Sequence, residues 1–283
     1  MAAMAGHKRG GPFLAKAAPM ADLTAEIAYA ARDEARPCYY ANAHHRDRVP
    51  IDPQAMRLAD GRAHPPALDR EGFVRLDHRS AVADFTDRDA VAAVHPAEIA
   101  ELVRAATGAS RVIVTAPGIV RFSEASGLAG TRDNSHPARF VHVDTTAGTA
   151  AAMAARMLGE APGVERWAHY NVWRAFSPAP QDVSLALCAM DSVADRDLIE
   201  ADAIFDPPGG PEWSFASWVV AANRAHRWLW FPDLTRDEVI LFQSSCSITG
   251  RAVPHVAFDN PAAPPGSPPR ASIEMRVLAV WGA

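Results

Sequence analysis

The sequence predicts a mainly β protein with flanking helices, built as a closed or sandwiched antiparallel sheet. Three observations carry this expectation. Eight short apolar runs follow one another after Gly118, one strong helical pattern precedes them, and 23 Pro stand beside 17 Gly among 283 residues. Punctuation that heavy suits many short elements joined by turns better than a few long helices packed outside a sheet.

Residues 1–20 are rich in Ala, Gly and Lys without a period and read as a flexible extension, which leaves 21–283 as one domain. Residues 39–66 are polar and broken by Pro50, Pro53, Pro65 and Pro66, so a loop over the body is expected. Within it His44 and His45 are adjacent, face opposite ways on an extended chain, and read as solvated. Residues 72–78, GFVRLDH, alternate apolar and polar and predict a half-buried strand. In HPAEIAELVRAATG, Pro96 takes a first-turn position, Ile99, Leu102, Val103 and Ala106 recur at helical spacing, and Gly108 terminates the helix. RVIVTAP, apolar and β-branched, predicts a buried strand. The strand-like runs then follow: ARFVHVDTT, HYNVWRAF, VSLALCAM, WSFASWVVAAN, RWLWFP, DEVILFQ, PHVAF and ASIEMRVLAVW. A helix over residues 149–158, with Gly159 behind it, interrupts them. The proline-dense residues 259–269 form a stiff surface loop, because Pro cannot donate to a ladder.

Composition narrows the function. The hydrophobic share of 49% and charged share of 22% are ordinary for a globular chain. A formal charge of −5 without a long basic run excludes a protein built to neutralise phosphates, so no nucleic-acid partner is expected. Apolar stretches stop well short of a membrane span, and Cys38, Cys188 and Cys246 are too few and too scattered for a disulfide framework or a cysteine zinc site. A cytoplasmic protein acting on a small molecule is expected, with a homodimer left open.

Three patterns carry chemistry. In RFVHVDTT, side chains alternate faces, so His142 and Asp144 point the same way. With His255 on a later strand they supply two imidazoles and a carboxylate, the facial set that leaves three positions open on non-haem Fe(II). On the last strand Arg270, Ser272, Glu274 and Arg276 share one face. A guanidinium fork with a hydroxyl two residues on suits the far carboxylate of 2-oxoglutarate. Arg276 either joins that anchor or pairs with Glu274 or another acid. In YNVWRAF, Tyr170, Val172 and Arg174 share one face and Asn171 and Trp173 the other; Arg174 is a candidate anion anchor, and Asn171 and Trp173 are candidate pocket residues. His226 reads as a hydrogen-bonded structural residue.

The stretches HVDTT, YNVWR, LALC, AHRWLWFPDL, DEVILF and GRAVPHVAFDNPAAPPGSPPRASIEMR, with DREGFVRLDH and ATGASRVIV earlier, resemble the family that includes the cephamycin 7-methoxylation protein CmcJ, NvfI-type fungal oxidoreductases and gibberellin desaturase-like proteins. The resemblance spans roughly residues 69–280. It implies a double-stranded β-helix, jelly-roll or cupin-like, and an Fe(II)/2-oxoglutarate-dependent dioxygenase. Position by position, His142, Asp144 and His255 would be the iron ligands, and Arg270 and Ser272 would meet 2-oxoglutarate. Thr145 stands where the family commonly has Tyr, Ala189 where an acid is usual, and Gln243 in place of Lys; such positions are expected to line the pocket or shape its mouth. Asp144 is retained, which disfavours halogenation.

The implied reaction takes Fe(II), 2-oxoglutarate and O2, releases succinate and CO2, and abstracts hydrogen from a secondary metabolite, leading to hydroxylation, desaturation or ring closure. Two other classes stay open: a non-catalytic cupin-like binding protein, and a zinc hydrolase using the same His/Asp/His ligands. No Gly-rich nucleotide-binding loop follows a strand, which argues against methyl transfer.

Overall fold

Alternating apolar and polar residues, cut by Pro and Gly, divide the chain into short extended segments. The computed structural model describes residues 22–160 and 162–282; the extension expected over residues 1–20 lies outside them. In chain order come β1 (Leu23–Ala30), β2 (Cys38–Tyr40), β3 (Ile51–Asp60), β4 (Phe73–Asp77), α1 (Arg88–Thr107), β5 (Arg111–Val114) and β6 (Ile119–Phe122). Then follow β7 (His142–Val143), α2 (Ala147–Leu158), β8 (Arg166–Ala175), β9 (Val183–Cys188), β10 (Leu198–Phe205) and β11 (Trp213–Val220). The chain ends with β12 (Trp228–Trp230), β13 (Glu238–Cys246), β14 (His255–Asp259) and β15 (Ala271–Trp281).

Two sheets result. One runs β1-β3-β12-β9-β14-β7-β11-β10-β2, and the other runs β4-β13-β8-β15 with β5 and β6 sharing the far edge of β15. Between them Trp173, Ile240 and Phe242 of the second sheet meet Leu185, Leu187 and Leu229 of the first. Helix α1 covers the outer face of the second sheet, where Ile99 and Val103 pack with Val172, Leu241, Met275 and Val277. Burying each such side chain contributes about 1.5–3 kcal/mol. Two curled, facing antiparallel-rich sheets with helices outside are the double-stranded β-helix that the sequence led us to expect. Among the described residues, no helix is long and apolar enough to cross a membrane.

Several local expectations are corrected. Helix α1 starts earlier than expected, at Arg88, because the Asp87 carboxylate accepts from the N–H groups of Asp89 and Ala90. Pro96 therefore sits inside the helix rather than in its first turn. Gly108, at φ +69°, closes the helix as expected. Residues 39–66 hold the ten-residue strand β3, not only loop. Pro53 is tolerated there because β3 pairs with β1 at that point, while its other neighbour, β12, joins only at Leu58–Asp60. β5 is half-buried rather than buried, since it lies at a sheet edge. The run around His142 shrinks to a two-residue strand. α2 fits expectation, capped by Thr146, whose hydroxyl accepts from the Thr149 N–H at 3.1 Å.

Candidate active site

The short strand β7 is wedged between β14 and β11, and its pairing with β14 sets His142 directly opposite His255. Their ring centroids are 4.3 Å apart. Asp144 follows two residues after His142, and one ligand atom from each of the three lies within 4.8 Å of the others. All three are buried, at 8%, 9% and 5% exposure for His142, Asp144 and His255.

Both imidazoles are locked by the same device. His142 Nδ1 lies 3.1 Å from the Phe140 carbonyl, and His255 Nδ1 lies 3.1 Å from the Val253 carbonyl. A carbonyl only accepts, so each Nδ1 carries the proton and donates it, which leaves each Nε2 lone pair free for a metal. Burial, and then the neighbouring His255, push the His142 pKa down to about 3, so the ring stays neutral. Burial disfavours the Asp144 anion, but Arg276, His255, His142 and Asn171 together hold its carboxyl below the usual range. Asp144 Oδ1 accepts from Arg276 Nη2 at 3.0 Å and Oδ2 from Asn171 Nδ2 at 2.6 Å. Arg276 Nε donates in turn to Glu274 at 2.8 Å.

Behind these donors lies a slot of about 30 Å³, walled by Trp173, Leu185 and Arg270 as well as the three donors. Arg270 is 2% exposed, its guanidinium carbon sits 5.8 Å from the Trp173 ring centroid, and its Nε has no hydrogen-bond partner among the described residues. Burial, with Arg121 and Arg139 nearby, pulls its pKa to about 9. Its backbone is fixed, since the Arg270 N–H donates to Asp182 Oδ1 at 2.7 Å while Asp182 Oδ2 accepts from Ser123. A buried cation with an unmet donor calls for an anion. Two imidazoles and one carboxylate therefore fit a divalent metal, and Arg270 supplies a cation beside them that a carboxylate would satisfy.

A second cavity, of about 300 Å³, adjoins the slot at His142 and Asp144. Tyr39, Phe140, Phe205 and Phe215 form its apolar wall, and Arg121, His142, Asp144 and Arg276 line both it and the slot. Tyr39 donates to Ser217 Oγ at 2.9 Å, and burial pushes its phenol well above the usual value. Arg121 Nη1 donates to Asn134 Oδ1 at 2.9 Å and to the His136 carbonyl at 2.6 Å.

The structure brings His142, Asp144, His255, Arg270, Asn171 and Trp173 together. Arg276 lines the slot while bonded to Asp144 and Glu274, which matches the acid-pairing reading. Ser272 is buried on the same strand, but its hydroxyl donates to the Arg121 carbonyl at 3.4 Å and it does not line the slot. Arg174 is a correction. The alternation on β8 is as expected, yet the face carrying Arg174 turns away from the triad, and its guanidinium donates to the carbonyls of His78 and Arg236 and stacks 5.3 Å from Phe85. Thr145 is half-buried and lines neither chamber. Ala189 and Gln243 also line neither; Gln243 Nε2 donates to the Arg251 carbonyl at 2.8 Å. His44, expected in solvent, lines the outer cavity with its ring edge-to-face on His136 at 4.6 Å. His226 is structural as expected, bonded between Tyr29 and Asp197. Sequence reasoning missed Arg121, Tyr39 and Asp182, whose only local signal was an inward position on a short strand or a turn.

A family model described as "Oxidoreductase/YMDC permease-like domain" matches residues 27–280. The alpha-ketoglutarate-dependent dioxygenase phiK from a fungal species is 31% identical over 244 residues, 83% of this chain and 86% of that protein. The hydroxylase/desaturase efuI of Hormonema carpetanum is 31% identical over 238 residues, 76% of this chain and 79% of that protein. The solved iron and alpha-ketoglutarate-dependent endoperoxidase NvfI superposes with a TM-score of 0.77 over 93% of this chain and 99% of that chain, a likeness of fold at 22% identity.

Proposed function

The chain belongs to the oxidoreductase family matched over residues 27–280, and from that membership we propose that His142, Asp144 and His255 bind Fe(II) while Arg270 receives the far carboxylate of 2-oxoglutarate. The protein is an Fe(II)/2-oxoglutarate-dependent oxygenase acting on a small molecule. Held by these residues, iron with 2-oxoglutarate and O2 would supply the oxidation, giving succinate and CO2 from the keto acid and hydroxylation, desaturation or ring closure of the substrate.

The protein's own residues prepare this chemistry. The Phe140 and Val253 carbonyls fix both imidazole tautomers, and Arg276 with Asn171 keeps Asp144 ionised and aimed. Trp173 and Leu185 give the slot apolar walls, and Arg270 would meet the far end of the dicarboxylate. Buried Arg270, with its unmet donor in the same slot as the three metal donors, is the observation that carries this reading over a zinc hydrolase or a binding protein, neither of which needs a second buried cation there. The finer reading is a cytoplasmic enzyme of secondary metabolism, folded as one domain over residues 21–283, without nucleic-acid or membrane partners. It is supported by the weak acidity, the scattered free cysteines and the contribution of both sheets to one site.

The test is an anaerobic titration of Fe(II) and 2-oxoglutarate into the full chain. A weak visible charge-transfer band is expected, lost in His142→Ala, with succinate formed in air. Zinc retained through purification, with neither band nor succinate, would sink the reading.

A further inference from the structure

Two of the guanidinium groups that line the chambers have no acid in hydrogen-bond contact among the described residues. Asp144 and Glu274 are the acids that touch the inner groups, and both are bonded to Arg276. Arg270 and Arg121 are left without a carboxylate partner among the described residues. The divalent metal and the dianion 2-oxoglutarate cancel each other, and Arg270 is the cation placed for the dianion's far end. Arg121 then remains as a guanidinium that no carboxylate touches among the described residues, although Glu274 and Asp144 lie near enough to favour its charge. The rim acids do not serve it: Glu124 is paired with Arg139 at 3.1 Å, and Asp47 accepts from the Tyr40 N–H and from His44.

The position of Arg121 says which chamber its counter-ion occupies. The groups that grip its guanidinium, the Asn134 amide and the His136 carbonyl, are both neutral and belong to residues that line the outer cavity and not the slot. The wall opposite is aromatic, and Phe205 stacks on Trp213 at 4.4 Å to extend that surface outward. Resting on the oxygenase reading above, we infer that the substrate is a small carboxylic acid with an apolar or aromatic body, whose carboxylate is held by Arg121 while its body lies against Tyr39, Phe140, Phe205 and Phe215. A guanidinium fixed by two neutral acceptors is already oriented, so it binds a carboxylate with little loss of side-chain freedom. A cavity of about 300 Å³ sets a compact size for that acid.

The experiment uses the full chain loaded with Mn(II), which accepts the same N/O donors without turnover. Calorimetric titration of 2-oxoglutarate comes first and reports the oxygenase reading by itself. Two acids, 4-phenylbutanoate and 1-naphthylacetate, are then titrated against their methyl esters, which keep the shape and lose the charge. Each acid should bind at least ~10-fold more tightly than its ester, the size of a charge-assisted bidentate contact. Arg121→Gln should erase that preference and change 2-oxoglutarate affinity by less than about 3-fold, whereas Arg121→Lys should keep part of it. The comparison within the wild-type protein needs no variant, so a misfolded Arg121→Gln does not decide the matter. Acid and ester binding equally, or neither binding, overturns the inference. So does an Arg121→Gln variant that loses 2-oxoglutarate while keeping the acid preference, since Arg121 would then be a second anchor for the co-substrate. Acid preference without any 2-oxoglutarate binding would sink the oxygenase reading and leave the Arg121 anion site standing.

Discussion

Asn171 and Arg276 are register partners across β8 and β15, and they divide the carboxylate of Asp144 between them, one oxygen each. The Asp144 carboxylate therefore follows directly on a strand of the nine-stranded sheet but is oriented by the six-stranded one.

Arg276→Met should weaken divalent metal binding by roughly 10- to 100-fold, the usual effect of losing a group that orients a ligand, while far-ultraviolet circular dichroism stays unchanged. Calorimetric titration with Mn(II) reads it. Unaltered affinity would show that Asp144 needs no such support.

Arg270→Met should act in opposite senses on binding and on stability. The variant loses 2-oxoglutarate affinity by about 100-fold or more, because the dicarboxylate forfeits its bidentate partner. The metal-free protein should gain thermal stability by about 1–3 kcal/mol, because a desolvated guanidinium with an orphan Nε is replaced by an apolar chain of similar length. A melting temperature that falls on this substitution would mean that Arg270 serves the fold rather than an anion.

In metal-free protein, stability should fall as pH drops from about 6.5 towards 3. His142 has a folded pKa near 3, below the ordinary imidazole value, so the unfolded chain binds the proton first within that window. Its contribution is complete above pH 6.5 and fades on acidification, by a few kcal/mol in all. Buried His95 and His226 and half-buried His169, also shifted down by desolvation, act in the same direction. Urea unfolding at pH 8 and pH 5 measures the slope, and His142→Leu should flatten it. A slope indifferent to that substitution would reassign the effect.

Pro96→Ala should stabilise the protein. The proline lies inside α1, where it removes a helical hydrogen bond at a general cost of up to ~3 kcal/mol. A gain of about 1 kcal/mol would raise the melting temperature by roughly 2–4 °C in a chain of this size.

What was legible in the sequence was whatever a single strand displays. The spacing of His142 and Asp144, the lone His255 and the inward row Arg270, Glu274 and Arg276 are local facts of alternation, and the structure keeps them on one site. On β8 the same alternation separates Arg174 from Asn171 and Trp173, but it cannot say which face looks inward; that depends on α1 covering the other side. Arg121 escaped because β6 is four residues long and reaches the site only by pairing with the start of β15. Tyr39 escaped because prolines hid an extended segment whose partner strand, β10, is far along the chain. The length of α1 turned on Asp87, an N-cap outweighed in the sequence by the more conspicuous Pro96.

The outer cavity draws its aromatic wall from β2, from the segment before β7, and from the β10–β11 hairpin, and none of these strands carries Arg270, Asn171 or Arg276. The aromatic wall and the inner polar groups thus sit on separate pieces of chain that meet at His142, Asp144, Ala138, Arg121 and Arg276, which line both chambers. Such a layout lets a lineage exchange one molecule for another by editing a hairpin and a short edge strand while inheriting the oxidising apparatus intact, and it offers an engineer the same freedom.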